Sequence, residues 1–531
     1  MSVDLGSINL RDYLDRSNGK VRGQVLTDAK IRWYEAEYKY QIDGSDLLIS
    51  KVGGSSKPIR MPSVIKLDSA LVAFFGLYSG DGSKGTDDAS DPTRIRPNIS
   101  FSQREKTLVR FAMDQFAKIF TGDLKFVFTL GEDSAYFMAD EGLARITAYY
   151  KSIGLDKFPS PKNLSEVNAN LSDADNRYLK EKRSNVAGTS EEHLAYYYQH
   201  KVAMGVILAE EKSRDLVDAG IELSPLIDVR ASLRRPFKKG ARKPGGSSRS
   251  DELQISGLSG MGELFLKMMH SIEASLANDT QEADFGLITW NDLPSTIGVS
   301  LDVENFFKSH PFGAQRGGER PKIEKSTPGH LMGQWARSNE VRLKSNIQLS
   351  PLWAYVSGLY LAEGTTPKSE LFMMFKERVA GMALGFTSSE GASIELLLRI
   401  LGQLFEEKDC VTSWKIKVGS QYFTELVVIG LKEGVSMLRG GASGDGKTRS
   451  MEISLALKPW AIAVANADLD GRESLLASRY ADRFSHVEPT GAGVARIDVS
   501  SSSSFCRWLF PIMMFCVFGE IVIDPENGFK V

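Results

Sequence analysis

Residues 60–82 read RMPSVIKLDSALVAFFGLYSGDG, and residues 342–364 read RLKSNIQLSPLWAYVSGLYLAEG. Aligned without a gap, Arg60 matches Arg342, Ser63 matches Ser345, Ile65 matches Ile347 and Leu67 matches Leu349. Gly76-Leu77-Tyr78 then matches Gly358-Leu359-Tyr360, and Gly82 matches Gly364. A repeat inside one chain changes every later inference about architecture. Each copy is an apolar run of helical length whose last turn carries an acid followed by glycine, Asp81-Gly82 and Glu363-Gly364. Gly76 and Gly80 lie four apart, as do Gly358 and Ala362. Small residues at that spacing share a helix face and let two backbones approach closely. Gly82 and Gly364 are expected to end their helices in a left-handed turn.

The likeness resumes after a loop, where Ile99-Ser-Phe101-Ser-Gln-Arg-Glu105 parallels Leu384-Gly-Phe386-Thr-Ser-Ser-Glu390, each followed by an apolar helical segment. Alternating stretches come next: Phe126-Val-Phe-Thr with Ala135-Tyr-Phe-Met, and Trp414-Lys-Ile-Lys-Val with Phe423-Thr-Glu-Leu-Val-Val. Both pairs read as hairpins. Short helices over Asp140 to Ile153 and Leu431 to Leu438 close the copies. The expected fold class is therefore α+β, with two repeats of helix, two strands, helix, two strands, helix over residues 60–155 and 342–441.

Outside the repeats, residues 1–59 read as a β-rich lead-in. Residues 156–341 form an insertion too long for a linker. It contains candidate helices Glu191 to Asp218 and Gly262 to Ala277 and a flexible basic loop, Pro236 to Ser250. Residues 442–531 make a C-terminal extension. One reading of it is a degenerate third half-repeat, since Ala463 to Gly471 ends in Asp-Gly and Ile497-Asp-Val-Ser500 resembles the start of Ile99 to Phe111. The other reading takes Asp468 and Asp470 as an ordinary acidic turn.

If the two glycine-bearing helices pack side by side, Asp81 and Glu363 meet at helix C-termini, where the dipole disfavours carboxylates. A cation belongs between them. Mg2+ held by carboxylate oxygens, with water and phosphate completing its shell, would relieve the repulsion and assemble a site for phosphodiester hydrolysis.

The paired segments resemble the two signature helices of a monomeric LAGLIDADG homing endonuclease. The resemblance covers both repeats and implies two pseudo-symmetric αββαββα halves in one chain, a monomer whose strands form a saddle on double-stranded DNA. It implies that Asp81 and Glu363 hold catalytic divalent metal. Gln103, in Phe101-Ser102-Gln103-Arg104-Glu105, matches a polar pocket residue that positions water, and Ser388 departs from the pattern in the second copy. The basic pocket residue has Lys84, Lys415 and Lys417 as candidates.

Lys plus Arg number 65 against 67 Asp plus Glu in the 531 residues, a net charge of −2. The whole molecule thus offers no attraction for a polyanion. Any attraction must be local, and Arg230, Arg234, Arg235, Lys238, Lys239, Arg242 and Lys243, with no acid among them, read either as a DNA-contacting arm or as a solvated charge run. The three cysteines, Cys410, Cys506 and Cys516, contain no CxxC pair and fit a reduced, intracellular setting. No signal peptide is read at Met1-Ser2-Val3-Asp4, and the apolar stretch Trp508 to Phe518 is broken by Pro511 and falls short of the ~20 residues that span a bilayer. A soluble protein without a membrane partner is expected.

The six histidines show no HExxH spacing, so zinc is not expected. Gly441 to Thr448 satisfies GxxxxGK[ST], but it follows an expected helix where a phosphate-binding loop follows a buried strand. A Gly-Ser linker is the better reading. The function expected first is a site-specific, metal-dependent endonuclease of double-stranded DNA. The alternative is a non-catalytic DNA- or RNA-binding protein on the same scaffold, a transcriptional regulator or intron maturase, and the near-neutral charge counts in its favour.

Overall fold

The computed structural model describes residues 4–27, 30–54, 56–103, 106–122, 124–133, 140–154, 191–218, 220–234, 252–256, 258, 260–277, 293, 300–305, 322–325, 327–334, 340–363, 385–388, 396–397, 400, 403–404, 411–418, 421–429, 436–442, 449–451 and 495–501. Its elements make a mixed α+β structure. The chain begins with β1 (Asp4–Asn9), α1 (Leu10–Arg16), β2 (Lys20–Thr27), β3 (Lys30–Asp43), β4 (Asp46–Lys51), β5 (Ile59–Pro62), β6 (Val64–Asp68) and α2 (Ser69–Asp81). It continues with β7 (Thr86–Asp88), β8 (Asp91–Arg96), β9 (Ser100–Ser102), α3 (Lys106–Ile119), β10 (Lys125–Asp133) and α4 (Asp140–Ser152). Then come α5 (Glu191–Asp218), β11 (Ile227–Arg234), β12 (Glu252–Ser256) and α6 (Gly262–Ala277). After these follow β13 (Ser300–Asp302), β14 (Lys322–Lys325), β15 (His330–Gln334), β16 (Val341–Lys344), β17 (Asn346–Gln348) and α7 (Pro351–Glu363). The last strands are β18 (Gly385–Ser388), β19 (Val411–Val418), β20 (Gln421–Ile429), β21 (Ser436–Ala442), β22 (Arg449–Met451) and β23 (Ala495–Ser501). Among the described residues no helix is long and apolar enough to cross a membrane.

Contacts divide the chain into two compact units, one of Met1–Ile99, Asp114–Gly122 and Leu258–Val531, the other of Ser100–Met113 and Asp123–Gly257. In the first unit β3 shows the period-two pattern of a half-buried strand, with Tyr34, Ala36 and Tyr38 buried and Glu35, Glu37 and Lys39 exposed. Helix α2 is different, being buried from Ser69 through Ser79. A helix apolar on every side has to sit inside a core. Its start is fixed by Asp68, which accepts a hydrogen bond from the Leu71 N–H at 2.7 Å and an ion pair from Lys118 at 2.8 Å. Around it Phe74 meets Phe116 at 4.8 Å and Tyr78 meets Phe265 of α6 at 4.7 Å, both edge-on. That is the favoured geometry for aromatic pairs.

The strands leading into α2 and α7 share bonds and registers. The Leu10 N–H donates to the Ser63 carbonyl at 2.9 Å, and the Val303 N–H donates to the Ser345 carbonyl at 2.9 Å. Asn9 Oδ1 accepts from the Asp12 N–H at 3.0 Å, and Asp302 Oδ1 accepts from the Asn305 N–H at 2.9 Å. Ile8 stands opposite Ile65 as Leu301 stands opposite Ile347, both antiparallel. Leu47 faces Met61 in β4–β5, and Leu331 faces Leu343 in β15–β16. Residues read as a lead-in and as insertion thus make corresponding pairings.

In the second unit a four-stranded sheet has the order β11-β10-β12-β9. Of the expected hairpin of Phe126–Thr129 with Ala135–Met138, the second stretch lies outside the described residues. A strand has two edges, and β10 gives one to β11 in parallel and the other to β12 in antiparallel register, with Phe128 opposite Leu253. Strand β12, from the stretch read as insertion, lies between β9 and β10, with Phe101 opposite Leu253. In the first unit β23 lies likewise between β18 and β19, with Val499 opposite both Phe386 and Trp414. Residues 497–500 therefore complete that sheet within the described structure. The expected hairpin of Trp414–Val418 with Phe423–Val428 is present as β19–β20. The expected helix over Leu431 to Leu438 is corrected at its end, where Ser436 to Leu438 belong to strand β21, antiparallel to β20, with Val428 facing Met437; residues 431–435 lie outside the described ones.

Candidate functional site

Helices α2 and α7 cross at their glycines. A Cβ on Gly76 would lie 2.0 Å from the Tyr355 carbonyl oxygen and 3.0 Å from Leu359 N. A Cβ on Gly358 would lie 1.8 Å from the Ala73 carbonyl oxygen and 2.8 Å from Leu77 N. The contact is reciprocal, each glycine resting on an i to i+4 peptide hydrogen bond of the other helix, as in an isologous interface. Each acid, Asp81 and Glu363, ends its helix five residues after the crossing glycine. That is about 7.5 Å along each axis at 1.5 Å per residue.

Gly82 departs from expectation. Its φ of −83° and ψ of 153° are extended, so no left-handed turn ends α2. Glycine is required there for space instead, because a Cβ would lie 2.4 Å from both the Tyr78 ring and the Tyr78 carbonyl oxygen. The Tyr78 hydroxyl reaches past it to donate to the Ser83 carbonyl at 2.9 Å. Gly364 lies outside the described residues.

Asp81 is partly exposed, as is Lys84 three residues on. Lys84 stands close enough to α6 to act electrostatically on His270 and Glu273. Burial, then Lys84 and Lys267, lower His270 to about 3, so it is a neutral imidazole whose Nδ1 pairs with the Tyr34 hydroxyl at 3.2 Å. Burial raises the Glu273 carboxyl, with Lys84 opposing, and raises the Tyr355 phenol of α7, with Glu273 adding to it. The sequence reading missed this cluster. Its signal was Glu263, Lys267, His270 and Glu273 at three- and four-residue spacing on a helix otherwise too apolar for the surface.

Gln103 follows β9 and is buried, at 5% exposure. Lys415 and Lys417 occupy alternate positions of β19, with Lys415 in register between Glu425 and Asp498. Arg230 and Arg234 lie on β11 beside Thr129 and Asp133 of β10. Arg230 is exposed and pairs with Asp228 at 2.7 Å, so part of its charge is compensated. Arg235, Lys238, Lys239, Arg242 and Lys243, like Ser388's surroundings beyond β18, fall outside the described residues. Arg60 and Arg342, matched between the copies, are struts: Arg60 pairs with Asp43 in the β3–β4 turn and Arg342 donates to Thr327 Oγ1 at 2.8 Å in the β14–β15 turn.

A separate cleft of about 290 Å³ in the first unit is lined by Glu35, Lys51, Asp88, Arg94, Arg96 and Glu263. Its cations are paired, Lys51 with Glu263 at 2.6 Å, Arg96 with Asp88 at 2.9 Å and Arg94 with Glu35 at 3.6 Å. It therefore offers no net field to an anion. Among the described residues no group of three or more His, Cys, Asp or Glu side chains is placed to hold a metal ion. Asp81 and Glu363 are, by residue type, the oxygen donors that a hard divalent cation takes.

No family model matches the chain, and neither a curated protein nor a solved structure matches it.

Proposed function

We propose that the chain is a divalent-metal-dependent endonuclease of double-stranded DNA, built from two pseudo-symmetric LAGLIDADG-like copies with α2 and α7 as their facing helices. The reciprocal contact of Gly76 and Gly358 carries this reading, because it joins two helices that each end in an acid five residues later. The reading takes the two helices to run the same way, which would make Asp81 and Glu363 neighbours. Their carboxylates would hold Mg2+, which when bound supplies charge stabilisation at the scissile phosphate and a more acidic water. Lys84 would offset negative charge developing beside Asp81. The matching register of β9-β12-β10 and β18-β23-β19 supports one strand plan for both copies, with the long additional segments lying between β10 and β12 in one and between β19 and β23 in the other.

Purified protein should nick supercoiled plasmid in magnesium. Asp81→Asn and Glu363→Gln should each abolish nicking while DNA binding persists, and nicking at the wild-type rate by either variant would end the reading. The second reading, a DNA- or RNA-binding protein without nuclease activity, is favoured by the burial of Gln103 and by the net charge of −2. It predicts salt-sensitive binding and intact plasmid.

A further inference from the structure

Helix α6 is apolar along most of its length, with Leu264, Phe265, Leu266, Met268, Met269 and Ile272 buried, yet it brings Glu273 to α2 and α7. There the buried Tyr355 of α7 shares side-chain hydrogen bonds with Glu273 and with Ser79 of α2. Ser79 favours the phenolate and Glu273 opposes it. The bonds therefore run one way, from the Ser79 hydroxyl to the Tyr355 oxygen and from the Tyr355 hydroxyl to the Glu273 carboxylate. A hydroxyl donating to a carboxylate makes a charge-assisted bond, stronger than a neutral one. Burial raises the Glu273 carboxyl, while the Lys84 ammonium and the Tyr355 hydroxyl both favour its ionised form. Lys84 follows Asp81 by three residues, across the extended Gly82. His270, three residues earlier on α6, also feels Lys84, but it is neutral and offers no opposite charge.

We propose that Glu273 is a positioning residue that acts through Lys84 on the charge beside Asp81. Fixed by the Tyr355 hydroxyl, its carboxylate holds the Lys84 ammonium near the end of α2. There the ammonium can act on charge developing beside Asp81, and the carboxylate compensates it enough to let a divalent cation approach. Without that carboxylate the ammonium would repel metal. For its purpose the inference rests on the reading of Asp81 as a metal ligand; for its geometry it rests on the chain from Ser79 through Tyr355 to Glu273.

Acetylation of the folded full chain at about pH 8, read lysine by lysine in a mass spectrometer, tests the pairing without metal or DNA. Only the unprotonated amine reacts, and a neighbouring carboxylate keeps it protonated. Glu273→Gln should raise the Lys84 rate by about three- to tenfold relative to the exposed Lys20. Lys267, 2% exposed on the same helix, should stay slow, which separates loss of the pair from opening of α6. Tyr355→Phe keeps the packing and should move the Lys84 rate the same way by a smaller factor, so it decides if Glu273→Gln does not fold. Unchanged Lys84 labelling, or Lys84 and Lys267 rising together, overturns the proposal. Mn2+ binding reads the purpose. Glu273→Gln should bind Mn2+ more weakly, and adding Lys84→Gln should restore the wild-type affinity, a rescue that a merely structural Glu273 would not give. Absence of that rescue also overturns the proposal. Wild-type protein that binds no Mn2+ ends the metal reading, and this role with it, whatever the labelling shows.

Discussion

Gly76 and Gly358 rest on each other's helix backbone, each at the eighth residue of a thirteen-residue helix. An added methyl at either has nowhere to go except into a peptide hydrogen bond. Gly76→Ala and Gly358→Ala should each destabilise the protein by about 1–3 kcal/mol or more, the range for overpacking a close contact. Urea unfolding followed by tryptophan fluorescence reads this. Unchanged midpoints would mean that the helices do not touch there.

Gly205 behaves oppositely. It lies inside α5, and a Cβ there meets nothing within 4 Å. Gly205→Ala should stabilise by about 0.4–1 kcal/mol, through better helix propensity and a less free unfolded chain. A rise in the unfolding midpoint is the expected result.

Glu263 is 6% exposed, pairs with Lys51 at 2.6 Å and accepts from the Tyr38 hydroxyl at 3.0 Å. Replacing it with alanine strands Lys51, while the Tyr38 hydroxyl keeps the Gly260 carbonyl at 2.6 Å, and a cost of about 3 kcal/mol follows for a buried pair broken from one side. Glu263→Gln keeps an acceptor for Tyr38 and should cost less. Equal losses in the two variants would show that the charge alone matters.

His270 sets a pH dependence. Its folded pKa, about 3, lies below the ordinary 6.5, so between those values the unfolded chain binds more protons than the folded one. The stability from its neutral form is complete above about pH 6.5 and falls as pH drops toward 3, by up to about 1.4 kcal/mol per pH unit. His200, lowered by burial to about 4, acts in the same sense. Glu273, raised, acts in the opposite one. Comparing His270→Gln with wild type at pH 7.5 and 5 isolates the first contribution: the variant should lose less stability on acidification, and identical losses would refute the assignment.

Local pattern announced some elements and not others. The apolar stretches of α2 and α7, the length of α5 and α6, and the β19–β20 hairpin follow from helix period, strand alternation and short loops. Partners distant in sequence did not announce themselves. Nothing local in Phe126 to Thr129 says that its edges go to Ile227–Arg230 and Glu252–Ile255, far along the chain. The same holds for Val499 beside Phe386 and Trp414. Gly82 was legible as a helix end but not in its cause, since the space taken by the Tyr78 ring is a property of a rotamer. The helix-end acids drew notice because they recur in the sequence; Tyr355 did not, because Ala73 stands at the matching position of the other copy.

The central claim is that Asp81 and Glu363 share one divalent cation, and Mn2+ binding followed by electron paramagnetic resonance tests it most directly. Wild-type protein should remove free Mn2+ from solution at a saturable site, and Asp81→Asn and Glu363→Gln should each weaken that site to a similar degree. Wild-type Mn2+ binding in either variant, with the fold intact, would contradict the account.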